Sequence, residues 1–416
     1  MPHLAELGAG CGMGNRMTGL FRVIFLAGLF AGSISTAVGQ VLDQLYDNQK
    51  SAPHLELING AKSSIDIEIY SMKNSKFLNA LKSAIKRGVK VRIVQEPRPV
   101  SDPCLVFNRI TAGDDAKCVE QKSFVAFVRK NQGKYVPFDK GLCGIPDSNC
   151  FQHGKIIIVD KNIILMSTGN FNSSSFCDEA ENPTVCNRDF SVVSRDPDVV
   201  KTVQKVFDAD VAGRSVDVAE ILRTPEARRV TISPLSLDPI VAFIDSARKS
   251  IQLQNQYLKN PDYNAALVRA ARRGVKVFVM VASACAFGRP KPTQVEQWNQ
   301  VYGEFDAAGI HTKTFNASIP IGGRPGYLHS KAILVDSERA WVGSVNGSTT
   351  SLTLNREYGL FSNEAQVVRE LGTVLYSDYV QKGTQSWRDS LRCKRDYIKP
   401  QIPDDGDDTN DGQDKD

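Results

Sequence analysis

Residues 327–357 read Y-L-H-S-K-A-I-L-V-D-S-E-R-A-W-V-G-S-V-N-G-S-T-T-S-L-T-L-N-R-E. His329 and Lys331 stand two apart, a spacing that puts both side chains on one face of a β-strand. An apolar run follows and ends at Asp336. A second run, Ala340 to Val342, leads into Gly343-Ser344-Val345-Asn346. Two short strands thus deliver polar groups to one place. An imidazole can act as nucleophile or proton donor, an ammonium neutralises phosphate charge, and Asn and Ser donate hydrogen bonds. Together they can stabilise a phosphoryl transition state without a metal.

The same set occurs earlier. Gln152-His153-Gly154-Lys155 is followed by Ile156-Ile157-Ile158-Val159-Asp160, and Ile163-Ile164-Leu165-Met166 leads into Ser167-Thr168-Gly169-Asn170. The His-to-Asn spacing is identical in both copies, and two of the chain's five His occupy these positions. The paired pattern resembles the phospholipase D superfamily, whose mark is two copies of His-x-Lys-x4-Asp-x6-Gly-Ser-x-Asn. The first copy departs slightly, with Ser167-Thr168 where Gly-Ser is usual.

Working outward, the rest of the chain also repeats. Ser64 to Met72 alternates as a strand does, Ser75 to Arg87 reads as an amphipathic helix stopped by Gly88, and Val89 to Val94 reads as a strand. This β-α-β unit implies parallel strands. It recurs in the strand Ser250 to Tyr257, the helix Asn264 to Arg273 ending at Gly274, and the strand Val275 to Val281, preceded by a helix from Ile240 to Ala247. Ile65 and Ile251 lie 186 residues apart, as do Gly88 and Gly274. After the motifs, Asn187-Arg188-Asp189 parallels Asn355-Arg356-Glu357, and each triplet is followed by a helix, Val199 to Val211 and Ala365 to Val380. The chain is a tandem duplication joined near Gly213 to Pro234. A further helix with a break near Pro53 is expected from Val41 to Ala61. Glu96 to Asn149 and Ser283 to Gly326 read as long connections that rim the site. The expected fold class is α/β. The resemblance implies two tandem phospholipase D-like domains, each a mixed sheet flanked by helices, related by pseudo-twofold symmetry. The expected boundaries are 1–39 for an export signal or anchor, 40–222 and 223–403 for the two domains, and 404–416 for an acidic, disordered tail.

Composition bears on partners and compartment. The 416-residue chain carries a formal charge of +5; the tail holds −6 and residues 1–39 hold +1, so the body holds +10. A basic body suits an anionic partner such as a phospholipid surface or nucleic acid. Arg16 and Arg22 precede an apolar run from Val23 that continues through small residues to Gly39, the pattern of a cleaved export signal. A secreted or periplasmic location follows. Eight cysteines remain after Cys11, and neighbours pair most simply as 104 with 118, 143 with 150 and 177 with 186, leaving Cys285 and Cys393.

The resemblance implies that both motifs form one site. One His attacks phosphorus to give a phosphohistidine, and the other protonates the leaving alcohol and then activates water. By analogy His153 is the nucleophile and His329 the acid. Lys155 and Lys331, with Asn170 and Asn346, would hold the non-bridging oxygens; Thr168 and Ser344 would hold phosphate or orient a His. Asp189 and Glu357 are the acids expected behind the imidazoles, and which serves which stays open. Asp160 and Asp336 are expected to tie down a turn. No metal or other cofactor is expected. The expected activity is hydrolysis of glycerophospholipid head groups by a monomer at a membrane surface, with cleavage of DNA or RNA as the alternative.

Overall fold

A computed structural model describes residues 41–48, 52–100, 102–143, 150–286 and 288–393. The expected export signal and acidic tail lie outside the described residues.

The first sheet has seven strands in the order Asp43–Asp47, Phe190–Ser194, Ile163–Ser167, Lys155–Val159, Ser64–Ile69, Lys90–Gln95 and Lys134–Pro137. Its last three strands run parallel and the others pair antiparallel. The second sheet has eight strands and repeats this plan. Ser250–Asn255, Lys276–Ala282 and His311–Phe315 are parallel, Gln385–Ser386 pairs antiparallel at the edge beside His311–Phe315, and Lys331–Val335, Arg339–Gly343, Tyr358–Ser362 and Val230–Ile232 follow antiparallel on the other side. Two mixed sheets flanked by helices therefore carry the two copies of the motif.

Two expectations need correction. Val41 to Ala61 is not one helix: Asp43–Asp47 is an edge strand and the helix spans Ala52–Gly60. The strand is set by pairing with Phe190–Ser194, a tertiary preference that overrides local pattern. The long connections are also largely structured. Helix Ala116–Lys130 and strand Lys134–Pro137 fill much of the first, and helix Pro292–Ala307 and strand His311–Phe315 fill much of the second. Each connection thus completes a second β-α-β crossover. The cysteines pair as 104–118, 143–150, 177–186 and 285–393.

One hydrophobic core joins the halves. It takes Ile156, Ile158, Val203 and Phe207 from the first and Leu334, Val342, Leu371 and Leu375 from the second. Two buried ion pairs cross the same boundary. Arg356 of the second half donates from Nε to Asp210 Oδ2 at 2.9 Å, and Arg188 of the first donates from Nη2 to Asp378 Oδ1 at 3.0 Å. Both acids lie on the helix that closes the opposite half, Pro197–Asp210 and Ala365–Val380. Removing one partner leaves a buried charge uncompensated, so Arg356→Ala is expected to lower unfolding free energy by about 3–5 kcal/mol. Denaturant titration measures this directly, and an unchanged midpoint would refute the clasp.

Candidate active site

Each motif is built on a hairpin. Lys155–Val159 and Ile163–Ser167 are joined through Asp160 and Lys161, with φ of 51° and 57°; Lys331–Val335 and Arg339–Gly343 are joined through Asp336 and Ser337, with φ of 56° and 57°. Paired left-handed residues are the backbone of a tight hairpin turn. Asp160 accepts from the backbone N–H groups of Lys62, Ser63 and Ser64, and Asp336 from those of Arg248, Lys249 and Ser250. Although burial opposes ionisation, these donors hold Asp160 down at about 2 and keep Asp336 below the usual range. Both aspartates tether a turn to the strand beside it.

The hairpins carry His and Lys into the boundary between the halves. The segment before His329 runs parallel to the Asn-Arg-acid strand of the first half, pairing Tyr327 with Asn187 and Leu328 with Arg188. Gln152 pairs likewise with Arg356. The His153 N–H donates to the Arg356 carbonyl at 2.9 Å, and the His329 N–H to the Arg188 carbonyl at 3.2 Å. The backbone of each histidine is therefore held by backbone from the other half.

The acids are exchanged in the same way. His153 Nδ1 lies 2.9 Å from Glu357 Oε2, and His329 Nδ1 lies 2.8 Å from Asp189 Oδ1. A carboxylate only accepts, so Nδ1 carries the proton and the reactive lone pair lies on Nε2. Burial opposes ionisation of both acids. His329, Lys331 and Thr168 nevertheless hold Asp189 below its ordinary value, and His153, Lys155 and Ser351 do the same for Glu357. Lys155 Nζ donates to the His153 carbonyl at 2.7 Å, and Lys331 Nζ to the His329 carbonyl at 2.6 Å. Lys331 Nζ also lies 3.3 Å from His329 Nε2. Asn170 and Asn346 are buried at the ends of the same hairpins.

Thr168 and Ser344 face the acid-bearing strands. Thr168 Oγ1 donates to Asp189 Oδ1 at 2.7 Å and accepts from the Phe190 N–H at 2.9 Å. Ser344 Oγ accepts from the Tyr358 N–H at 3.2 Å. Thr168 thus orients Asp189 and through it His329, the second of the two roles open from sequence, while Ser344 fixes the backbone next to Glu357. The irregular first copy also has a physical reason. A Cβ at Gly169 would sit 2.3 Å from Asp189 Oδ2 and 2.9 Å from Ser175 Oγ. Gly169→Ala must push the Asp189 carboxylate away from His329, and misplacement on this scale costs about 100-fold in turnover. Steady-state kinetics of the folded variant test this; wild-type turnover would sink it.

Several contributors escaped the motif. Ser351 Oγ donates to Glu357 Oε1, and Asn355 Nδ2 does so at 3.0 Å. The Tyr70 ring meets His153 edge-on at 5.0 Å between centroids. Glu68 Oε2 accepts from Tyr358 OH at 2.6 Å and from Gln152 Nε2 at 2.9 Å, and burial pushes the Glu68 carboxyl well above the usual range. Gln254 stands 186 residues on from Glu68, so this acid belongs to the first copy alone. The repeated Asn-Arg-acid triplet was the available sign for Asn355 and the arginines, and Ser175, placed relative to Asn170 as Ser351 is to Asn346, was the sign for Ser351; Glu68 carries no comparable mark. Among the described residues no group of three or more His, Cys, Asp or Glu is arranged to hold a metal ion.

Residues 54–211 and 240–378 each match the family described as cardiolipin synthase, PLD-like domain. The chain belongs to this phospholipase D-like family. Among curated relatives of this phospholipase D-like chain, cardiolipin synthase A of Proteus mirabilis (strain HI4320) is 30% identical over 149 residues, 35% of this chain and 28% of that protein. The probable cardiolipin synthase YwiE of Bacillus subtilis (strain 168) is 26% identical over 171 residues, 40% of this chain and 31% of that protein. The chain thus spans under a third of the length of these relatives. The phosphatidylserine synthase structure from Haemophilus influenzae Rd KW20 aligns with a TM-score of 0.58 at 12% identity, over 83% of this chain and 88% of that one. The polyphosphate kinase from Porphyromonas gingivalis aligns at 0.53 with 16% identity, over 80% of this chain and 46% of that one. At such identities the likeness is one of fold.

Proposed function

We propose that this protein is a phosphodiesterase of phospholipase D type that takes the phosphatidyl group of a glycerophospholipid onto a histidine and passes it to water or an alcohol. The observation that supports the reading is the exchanged pair of His–carboxylate contacts, in which the imidazole of each half is backed by the acid of the other. In the first step His153 Nε2 forms a bond to phosphorus. The bond from phosphorus to the head-group oxygen breaks, and that oxygen leaves with the electron pair and the Nε2 proton of His329, which enters this step as the imidazolium stabilised by Asp189. In the second step His329 takes the proton of water or alcohol, the new oxygen–phosphorus bond forms, and the phosphorus–nitrogen bond breaks to restore His153. Lys155, Lys331, Asn170 and Asn346 neutralise and hold the non-bridging oxygens, while Thr168 and Ser344 steady the acid strands.

Cardiolipin synthases among the relatives support a lipid rather than a nucleic-acid substrate. Four disulfide pairs support export, and among the described residues no helix is long and apolar enough to cross a membrane. Both halves contribute to the site from one chain, so a monomer spanning domains 40–222 and 223–403 suffices. The test is incubation with phosphatidylcholine or phosphatidylethanolamine vesicles, and separately with single- and double-stranded DNA, in chelator. Head-group release or transfer with intact DNA is expected. Cleaved DNA with untouched lipid would establish the nuclease alternative instead.

A further inference from the structure

The two ion pairs that clasp the halves together are not surrounded alike. At one, Arg188 holds Asp378, and Gln254 Nε2 donates to Asp378 Oδ2 at 2.9 Å. Gln254 Oε1 accepts from Ser330 Oγ at 2.7 Å, and Ser330 lies between His329 and Lys331. One end of a neutral amide thus donates to the clasp aspartate, and the other end holds the residue beside the histidine.

At the second clasp Arg356 holds Asp210, and Glu68 stands where Gln254 does, 186 residues earlier. Glu68 Oε2 accepts from Gln152 Nε2 at 2.9 Å and from Tyr358 OH at 2.6 Å, and Gln152 directly precedes His153. Gly154 occupies the position of Ser330, and a Cβ there would sit 2.7 Å from the Tyr358 ring, so the tyrosine takes the space of the serine. Glu68 is wholly buried, and among the described residues no donor reaches its Oε1. The Glu68 and Asp210 carboxyls are instead hydrogen-bonded to each other. Two carboxylates only accept, so one of the pair carries a proton. Asp210 meets Arg356 with both oxygens, Oδ2 at 2.9 Å from Nε and Oδ1 at 3.3 Å from Nη2, which favours its ionised form. The donors to Glu68 are neutral, and burial and the Asp210 charge push its carboxyl well above the usual range.

We propose that Glu68 is a positioning residue that works as a neutral carboxylic acid: its Oε1–H donates to Asp210 while Oε2 holds Gln152, which ties the clasp to the backbone of His153. Glu68 does with a proton what Gln254 does with an amide. The tie reaches His153 from two sides, because the Arg356 carbonyl also accepts the His153 N–H. The other charged or titratable groups around Glu68 are Arg356 and Tyr358 of the opposite half and Asp66 of its own strand, which is paired with Arg92. Beyond Gln152 stand His153 and Glu96, whose Oε2 accepts the Gln152 N–H at 3.0 Å. The proton on Glu68 is independent of the phospholipase D-type reading; its effect on turnover rests on that reading.

Glu68→Gln rebuilds the second-half chemistry in the first and tests the proton directly. A carboxyl with a raised folded value contributes stability that is fully present below its unfolded value and is lost as pH rises through the folded one. Above about pH 4.3, the unfolded glutamate value, wild type is expected to lose about tenfold in folding equilibrium constant per pH unit relative to Glu68→Gln, until the folded acid ionises. Denaturant titrations at a series of pH values measure this. A difference that does not change with pH would overturn the proposal, as would failure of Glu68→Gln to fold. Infrared difference spectra at neutral pH, wild type minus Glu68→Gln, are expected to show the C=O stretch of one protonated carboxyl; carboxylate bands in its place would also overturn it. Positioning is read at His153. Glu68→Leu is expected to shift the His153 Nδ1–H proton resonance, identified by its loss in His153→Ala. It is also expected to lower kcat on bis(4-nitrophenyl) phosphate about 100-fold with KM little changed. Glu68→Gln is expected to recover both. Where Glu68→Leu does not fold, Gln152→Leu, which copies Leu328 of the second half, cuts the same tie and is expected to shift the same resonance. An unmoved resonance, or a Gln variant as impaired as the Leu variant, would end the positioning role. The expected stability, infrared and resonance results without turnover by wild type would remove the phospholipase D-type reading and leave the role of Glu68 standing.

Discussion

His153→Ala and His329→Ala are each expected to lower turnover of a natural phosphodiester by at least about 10,000-fold, and the double variant by no more, because residues acting as one unit are not additive. The two losses have different causes, and the choice of leaving group separates them. An alkoxide cannot depart without a proton, so both variants fail on lipid. 4-Nitrophenolate departs unaided. With bis(4-nitrophenyl) phosphate, His329→Ala is therefore expected to keep a burst of one nitrophenolate per enzyme and then stall, since nothing activates water for the second step. His153→Ala should give no burst. The reverse assignment of bursts would exchange the roles of the two histidines. Substantial steady turnover on lipid by either variant would remove the paired-histidine mechanism altogether. Both rings are buried among partners from two halves, so circular dichroism and thermal melts must first show that the variants fold.

The identity of the groups in the site was legible because duplication printed them twice. His-x-Lys, the terminal Asp and the Asn recur at matched spacing, the downstream acid recurs in a repeated Asn-Arg-acid triplet, and helix Ala365–Val380 was read to the residue. What spacing could not carry is which half folds onto which. The distance from His153 to Asp189 along the chain is compatible with a local pair, yet Asp189 serves His329, because the strand holding it runs beside the segment entering the other motif. The missed elements have related explanations. Asp43–Asp47 is a strand only because Phe190–Ser194 offers an edge. Helix Ala116–Lys130 buries Cys118, Gln121, Val125 and Val128, a helical spacing that cysteine and glutamine obscure in a search for apolar stripes. The substitution of Ser167-Thr168-Gly169 for Gly-Ser-x read as a slight departure from the motif. In three dimensions it makes room for the Asp189 carboxylate, with the hydroxyl of Thr168 holding that carboxylate in place.

Exchange of the acids gives the second large expectation. Asp189→Asn and Glu357→Gln are each expected to cost about 100- to 10,000-fold in turnover, since an amide neither stabilises the imidazolium nor fixes the tautomer that leaves Nε2 reactive. Activity alone would not reveal the crossing, because every such variant is crippled. The Nδ1 protons do. Each hydrogen-bonded Nδ1–H should give a far-downfield proton resonance; the one lost in Glu357→Gln should be the one lost in His153→Ala, and the one lost in Asp189→Asn should be the one lost in His329→Ala. Loss of the Asp189-dependent resonance in His153→Ala would show that the pairs are not exchanged. Acid stability supplies an independent check. Both carboxyls are held below their ordinary values by the charges and hydrogen bonds around them, against the opposing effect of burial. A carboxyl with a depressed folded value contributes stability above its unfolded value, and that contribution is lost as pH falls through the folded one. Wild-type protein should therefore lose stability steeply below about pH 4, the region where unfolded carboxylates begin to bind protons. Asp189→Asn and Glu357→Gln should each be less stable than wild type at neutral pH and show a shallower decline in acid. A variant whose acid limb parallels that of wild type would mean that the substituted carboxylate is not held in this way by its histidine.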